Sequence, residues 1–237
     1  DSNLCDGIFA IRDVALNGNK ANQTSSTIDG IALKGISLYV DHVFAKNCKR
    51  YGIHLSEASD AGTTKYIEDS YVQSCDDHNI YIDARRGVKI AETISELPAS
   101  GKSTLYLNNT AGYLVQGNWL EGNGVGAGEY GINVQNSSNA GRIIANDFAS
   151  LQYGVAFTSG TRTCTMGGNK FDTVANAFTL RGTGHIVQPN DFVTVNTAYT
   201  FDSPTDLHMM DLGNYKNTAN GTATILNAGT SVDVDPG

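Results

Sequence analysis

Asp83 is the carboxylate of this sequence best surrounded for chemistry on a polar polymer. Glu57 lies one repeat before it, and Asp76-Asp77 stand at the approach to its own segment. Glycosidic hydrolysis needs two carboxyl groups about 5 to 9 Å apart, one of them held protonated by its surroundings. Asp83 with Glu57 or Asp77 is therefore the candidate acid pair. His54 or Arg85 would instead suit an elimination, in which a base removes the proton α to a uronate carboxylate and a cation stabilises the resulting charge. Around these groups His54, Tyr81, Tyr106 and Asn133 alternate with Asn108 and Gln135. Aromatic rings beside amides and carboxylates suit a sugar chain, because pyranose C–H faces pack on rings while hydroxyls take hydrogen bonds. The same residues also fit a solvated or subunit-facing sheet, and Asp76-Asp77-His78 reads first as a turn.

These side chains share a face only if the chain repeats, and it does. Apolar-x-apolar pairs recur as Ile31/Leu33, Ile53/Leu55, Ile80/Ile82, Leu105/Leu107, Ile132/Val134, Val155/Phe157, Phe178/Leu180 and Tyr199/Phe201, at spacings of 22, 27, 25, 27, 23, 23 and 21 residues. A small or turn-forming residue precedes each pair except the one after Thr104. A period near 24 with two-residue alternation lacks the 3.6 pattern of helical arrays and is too short for four-stranded blades. It fits one turn of a three-faced parallel β-helix, whose coils bury their apolar edges only by stacking. The residue inside each pair then faces outward, giving the column Ala32, His54, Tyr81, Tyr106, Asn133, Ala156, Thr179, Thr200. Two residues further on runs a second column, Lys34, Ser56, Asp83, Asn108, Gln135, Thr158, Arg181, Asp202.

A second marker, Asn-x-(Leu/Phe), occurs at Asn118, Asn146, Asn169 and Asn190, where stacked amides can hydrogen-bond from coil to coil. Its interval to the next apolar pair lengthens after Asn118, which makes the glycine cluster 124–128 an inserted loop. Trp119 falls in the slot that Asp147, Lys170 and Asp191 occupy in later coils, so its ring points to subunit packing or sugar stacking.

The expected fold is all-β, a right-handed single-stranded parallel β-helix of about eight coils over 1–202, with 203–237 as a cap or junction carrying strands near 222–226 and 231–234. The 26 glycines and 17% charged residues suit short strands and tight turns. A net charge of −8 without a basic run argues against nucleic acid, and no apolar stretch is long enough for membrane insertion as a helix. Cys5, Cys48, Cys75 and Cys164 lack metal-ligand spacing. Cys48 and Cys75 each stand five residues before an apolar pair and are expected stacked inside as reduced thiols. No cofactor and no metal site are expected.

Residues 9–20 (Phe-Ala-Ile-Arg-Asp-Val-Ala-Leu-Asn-Gly-Asn-Lys), followed by Asp29-Gly30-Ile31 and Tyr51-Gly52-Ile53, resemble the opening coils of the pectate-lyase-like superfamily over roughly 7–202. Within it, the tail Gly221-Thr222-Ala223-Thr224-Ile225 and Gly229–Val234 is similar to segments that follow the β-helices of bacteriophage tail-spike and appendage proteins. That resemblance implies a homotrimer located in the virion that binds, and in some members degrades, a cell-surface polysaccharide. A secreted, extracellular polysaccharide lyase or glycoside hydrolase is the alternative. Alginate epimerases share only Tyr51, Gly52 and Glu57 of their signature with this chain, so epimerase chemistry is not expected.

Overall fold

The computed structural model describes residues 8–57, 64–201 and 208–210. Strand pairings among them are parallel throughout. They build an all-β solenoid of about eight turns, as the repeat predicts. The first residues of the apolar pairs form one unbroken ladder, Ile31–Ile53–Ile80–Leu105–Ile132–Val155–Phe178–Tyr199. Most of its members are fully buried, because period-two alternation turns every one of them to the axis.

Each turn lays strands on three faces. Ile31–Lys34, Ile53–Ser56, Ile80–Asp83, Ser103–Asn108 and Tyr130–Gln135 belong to the first face. The long strand Ser37–Lys46 serves the other two: its residues 37–41 pair with Thr64–Glu68 and its residues 44–46 with Tyr71–Gln73. The chain bends between the second and third faces through a left-handed residue in successive coils: Asp13, His42, Asp69, Glu92, Gly117, Ala145 and Gly168. Only two of these are glycine, so stacking imposes a conformation that residue type alone disfavours.

Immediately after that corner runs the asparagine ladder. Asn118 Nδ2 donates to Asn146 Oδ1 at 2.8 Å, Asn146 Nδ2 to Asn169 Oδ1 at 3.0 Å, and Asn169 Nδ2 to Asn190 Oδ1 at 2.9 Å. Thr104, the misfit among the corner residues, is buried and its hydroxyl donates to the Gly131 carbonyl, which accounts for threonine there. Around the glycine loop, the buried Glu129 carboxylate accepts the backbone and side-chain N–H groups of Asn123.

Cys48, Cys75 and Cys164 are buried and free, whereas Cys5 lies outside the described residues. So do the expected strands at 222–226 and 231–234; Met209–Met210 pairs with Ile186–Val187 and adds one more strand to the second face. No helix among the described residues is long and apolar enough to cross a membrane.

Candidate functional site

The first face gathers the predicted outward residues. His54, Tyr81, Tyr106 and Asn133 are register partners in succession, and so are Ser56, Asp83, Asn108 and Gln135. Asn108 Nδ2 donates to Asp83 Oδ1 at 3.2 Å and lies 3.4 Å from the Tyr81 hydroxyl. Gln135 donates to Asn133, and Asn136 donates to Asn108. Asn133 keeps its outward slot but is only 8% exposed, so it supports Gln135 more than it meets solvent.

The face is more aromatic than the two columns suggest. Across the corner, two residues before each apolar pair, stand Asp29, Tyr51, His78, Ser103, Tyr130, Tyr153, Asn176 and Thr197. Tyr51 stacks on Tyr81 at 4.5 Å, Tyr81 on Tyr106 at 5.2 Å and His78 on Tyr106 at 4.2 Å. Tyr130 and Tyr153 form a second stack at 4.7 Å. Sequence reasoning missed this column because the period-two count, carried back from the pairs, assigns these positions inward, whereas the corner residue between them, such as Gly52, faces the core and reverses the alternation. Stacking also changes what the rings offer. Both faces of Tyr81 are covered, by Tyr51 and Tyr106, whereas Tyr106 meets only rings of the preceding coil among the described residues. The ring run therefore ends at Tyr106, beside the amides of Asn108 and Gln135.

The edge of the run is fixed by a buried carboxylate. Asp29 receives two bonds of 2.6 Å from Arg50 and one of 3.0 Å from His54 Nδ1, while the Arg50 guanidinium lies 4.7 Å over the Tyr51 ring. Burial raises the Asp29 pKa, but its bonds to Arg50 and His54 and the Arg50 charge outweigh that, and the net shift is downward. His54 is thus tethered rather than free.

The three acidic candidates are not equivalent. Glu57 accepts from Lys65 Nζ at 2.9 Å through one oxygen and from the Arg85 backbone N–H at 2.8 Å through the other. Lys65 stands in an inward slot between Leu38 and Val88 and is fully buried, so Glu57 neutralises a cation that the core could not otherwise hold. Asp77 pairs with Lys102 at 2.9 Å and faces His78 at 3.5 Å. Asp83 alone combines an outward position with an amide partner on the first face. Trp119 lies on the third face, half exposed beside Ile94, with its Nε1 donating to Glu121. It is not part of the Tyr106 surface.

His78 carries a pH dependence. Its Nδ1 accepts the Ser103 N–H at 3.0 Å, so the ring is held neutral with its other nitrogen toward Asp77. Burial lowers its pKa to about 4, against the raising influence of Asp77 and with a further lowering from Lys102. Burial likewise lowers His208, which stacks on His185, to about 4. A group depressed below its unfolded value of 6.5 contributes stability that is complete above pH 6.5 and is lost as pH falls toward 4. For His78 the loss is on the order of 3 kcal/mol at the low end. Urea midpoints measured from pH 7.5 to 4.5 are expected to fall less steeply in His78→Phe than in the parent chain; identical slopes would remove His78 from the account.

No curated protein and no solved structure shows significant similarity to the chain. A protein-family model does match it: the family described as periplasmic copper-binding protein (NosD), over residues 6–221. This parallel β-helix family agrees with the coil architecture. It also corrects the location. The virion placement implied by the tail-spike resemblance is overturned, because the family that matches is periplasmic. The coil-to-coil signals of residues 9–53 are features of stacking, shared by β-helices of different location, so they pointed to the fold alone; the virion placement rested on the tail 221–234, which lies outside the described residues. With nine-tenths of its length matched and its strands wound as that family requires, the chain belongs to the NosD family.

Proposed function

We propose that the chain is a periplasmic β-helix that binds a polysaccharide of the cell envelope along its first face, with the partly exposed Tyr106 ring as the stacking platform. The observation that carries this reading is the end of the aromatic run at Tyr106 beside Asn108, Gln135 and Asp83. A pyranose would lay its C–H face on the ring while amides and carboxylate take its hydroxyls. The reading is of binding without cleavage. Both oxygens of Glu57 are engaged and Asp77 is ion-paired, so Asp83 has no second carboxyl kept apolar and protonated as hydrolysis requires.

The family description names copper, and the described residues do not fit a copper centre. Cys48, Cys75, Cys164 and Met166 are sealed in the core. His54, His78 and His185 have ring nitrogens committed to Asp29, Ser103 and the Cys164 N–H, while His208 stacks on His185 at 5.1 Å with neither ring nitrogen hydrogen-bonded, and no further His, Cys, Asp or Glu joins that pair among the described residues. Among the described residues the one cluster of three metal-capable groups is Asp41, His42 and Asp69, a largely exposed edge with a single imidazole, where Asp41 already pairs with His42 and Arg12. Copper favours several nitrogen or sulfur donors together, and the described residues bring together no more than the two imidazoles of His185 and His208.

Affinity for a panel of neutral and acidic bacterial polysaccharides tests the proposal. Tyr106→Ala is expected to lose about tenfold in affinity, the equivalent of one well-packed ring face. Trp119→Ala, on another face, is expected to bind as the parent does. Equal binding by parent and Tyr106→Ala would sink the assignment, and oligosaccharide release abolished in Asp83→Asn would replace binding with catalysis.

A further inference from the structure

Cys48 and Cys75 occupy the same corner of two successive coils, three residues before Tyr51 and His78. Lys46 pairs with Gln73, and the Asp76 N–H donates to the Cys48 carbonyl at 3.0 Å, which puts the two cysteines in stacked register. Their side chains take matching orientations. Cys48 Sγ lies 3.6 Å from the Lys46 carbonyl and Cys75 Sγ 3.7 Å from the Gln73 carbonyl. Glycines wall both sulfurs, since a Cβ at Gly30 would come within 2.6 Å of Cys48 Sγ and one at Gly52 within 3.0 Å of Cys75 Sγ. Each residue is 1% exposed. Stacked coils separate paired Cα atoms by about 4.8 Å, inside the range of about 4.4 to 6.8 Å that a disulfide spans without backbone movement.

We infer that Cys48 and Cys75 are a dithiol that closes into an intramolecular disulfide, a covalent staple between two successive coils. The oxidant is another disulfide, carried by a thiol–disulfide oxidoreductase or by oxidised glutathione. One thiolate of the pair attacks one sulfur of that disulfide, forming a mixed disulfide and expelling one thiolate. The other cysteine sulfur, giving up its proton, then attacks the first and expels the second thiolate. Two electrons pass from the cysteine pair to the oxidant, and the two protons end on its thiols. Cys48 borders one surface depression with Gln23 and Lys49, and Cys75 borders another with Lys20 and Leu97. Cys164 sits elsewhere, facing Tyr113. That the staple forms in the cell rests on the periplasmic reading, since the periplasm is oxidising; the pairing itself does not.

The full chain, purified reduced, is refolded in a glutathione/glutathione-disulfide buffer. It is then alkylated in denaturant with and without prior reduction and mapped by peptide mass spectrometry. The expected result is a Cys48–Cys75 linked peptide pair, with Cys164 alkylated without reduction and a urea midpoint higher for the oxidised chain than for the reduced one. In Cys48→Ala the remaining Cys75 is expected to become alkylatable without reductant. Complete alkylation of both cysteines in the unreduced parent, glutathione adducts in place of the pair, or pairing with Cys5 or Cys164 would overturn the inference. The parent map decides even where the variant fails to fold. Because the buffer supplies the oxidant, a negative result counts against the pair and not against the compartment, and polysaccharide binding is measured separately.

Discussion

Gly141→Ala is expected to destabilise the solenoid by about 3 kcal/mol or more, toward the high end of what overpacking a core costs. A Cβ at Gly141 would lie 1.9 Å from Cζ of Tyr113, 2.1 Å from its Cε2 and 2.5 Å from its Cε1. These are ring atoms of a residue 2% exposed, with no flexible end to swing away. Tyr113 belongs to the coil before Gly141, and its buried hydroxyl faces Cys164 of the coil beyond. The ring therefore crosses the glycine, and a methyl group there must displace it or part the coils. Tyr113→Leu is expected to relieve Gly141→Ala, giving a coupling of about 1 to 3 kcal/mol in a double-mutant cycle read by urea unfolding. Additive effects would mean that the ring does not lie over the glycine.

Asn146→Ala is expected to cost about 3 to 5 kcal/mol, far more than an ordinary polar truncation. Asn146 Oδ1 accepts both the backbone and the side-chain N–H of Asn118, and its Nδ2 donates to the Val115 and Ile144 carbonyls and to Asn169 Oδ1. Alanine leaves the two Asn118 donors buried without an acceptor, and each orphaned group costs about 1 to 3 kcal/mol. Asn190→Ala, at the end of the same ladder where the site is partly open, is expected to cost about 1 kcal/mol because water can replace the amide. Equal midpoints for the two variants would show that the ladder is not cooperative.

The asparagine run illustrates how far a one-dimensional reading reaches. Asn118, Asn146, Asn169 and Asn190 are legible because each repeats beside a leucine or phenylalanine at coil spacing, and a repeated amide has one geometric use in a stack. The same logic recovers the inward pairs and the stacking of Cys48 over Cys75. It fails for Lys65, which the alternation places inward between Leu38 and Val88. Its ammonium is tolerated in the core only because Glu57, from the strand end of the same coil, meets it. Glu57 therefore looked like an available acid. Asp29, which tethers Arg50 and His54, precedes a corner glycine and gave no sign of its partners.

The primary structure by itself determined the winding. Period two sets which side of a strand a residue takes, the return of that pattern near every two dozen residues sets which residues stack, and the stack satisfies the backbone. Only the tertiary structure decided which outward side chains remain available. Tyr81 loses both ring faces to neighbours a coil away, Asn133 is covered, Glu57 and Asp77 are claimed by lysines, and Tyr106 ends the ring run partly exposed. The reason is physical: alternation fixes direction along one strand, whereas access depends on side-chain size and charge in the coils above and below, where no local rule links the residues.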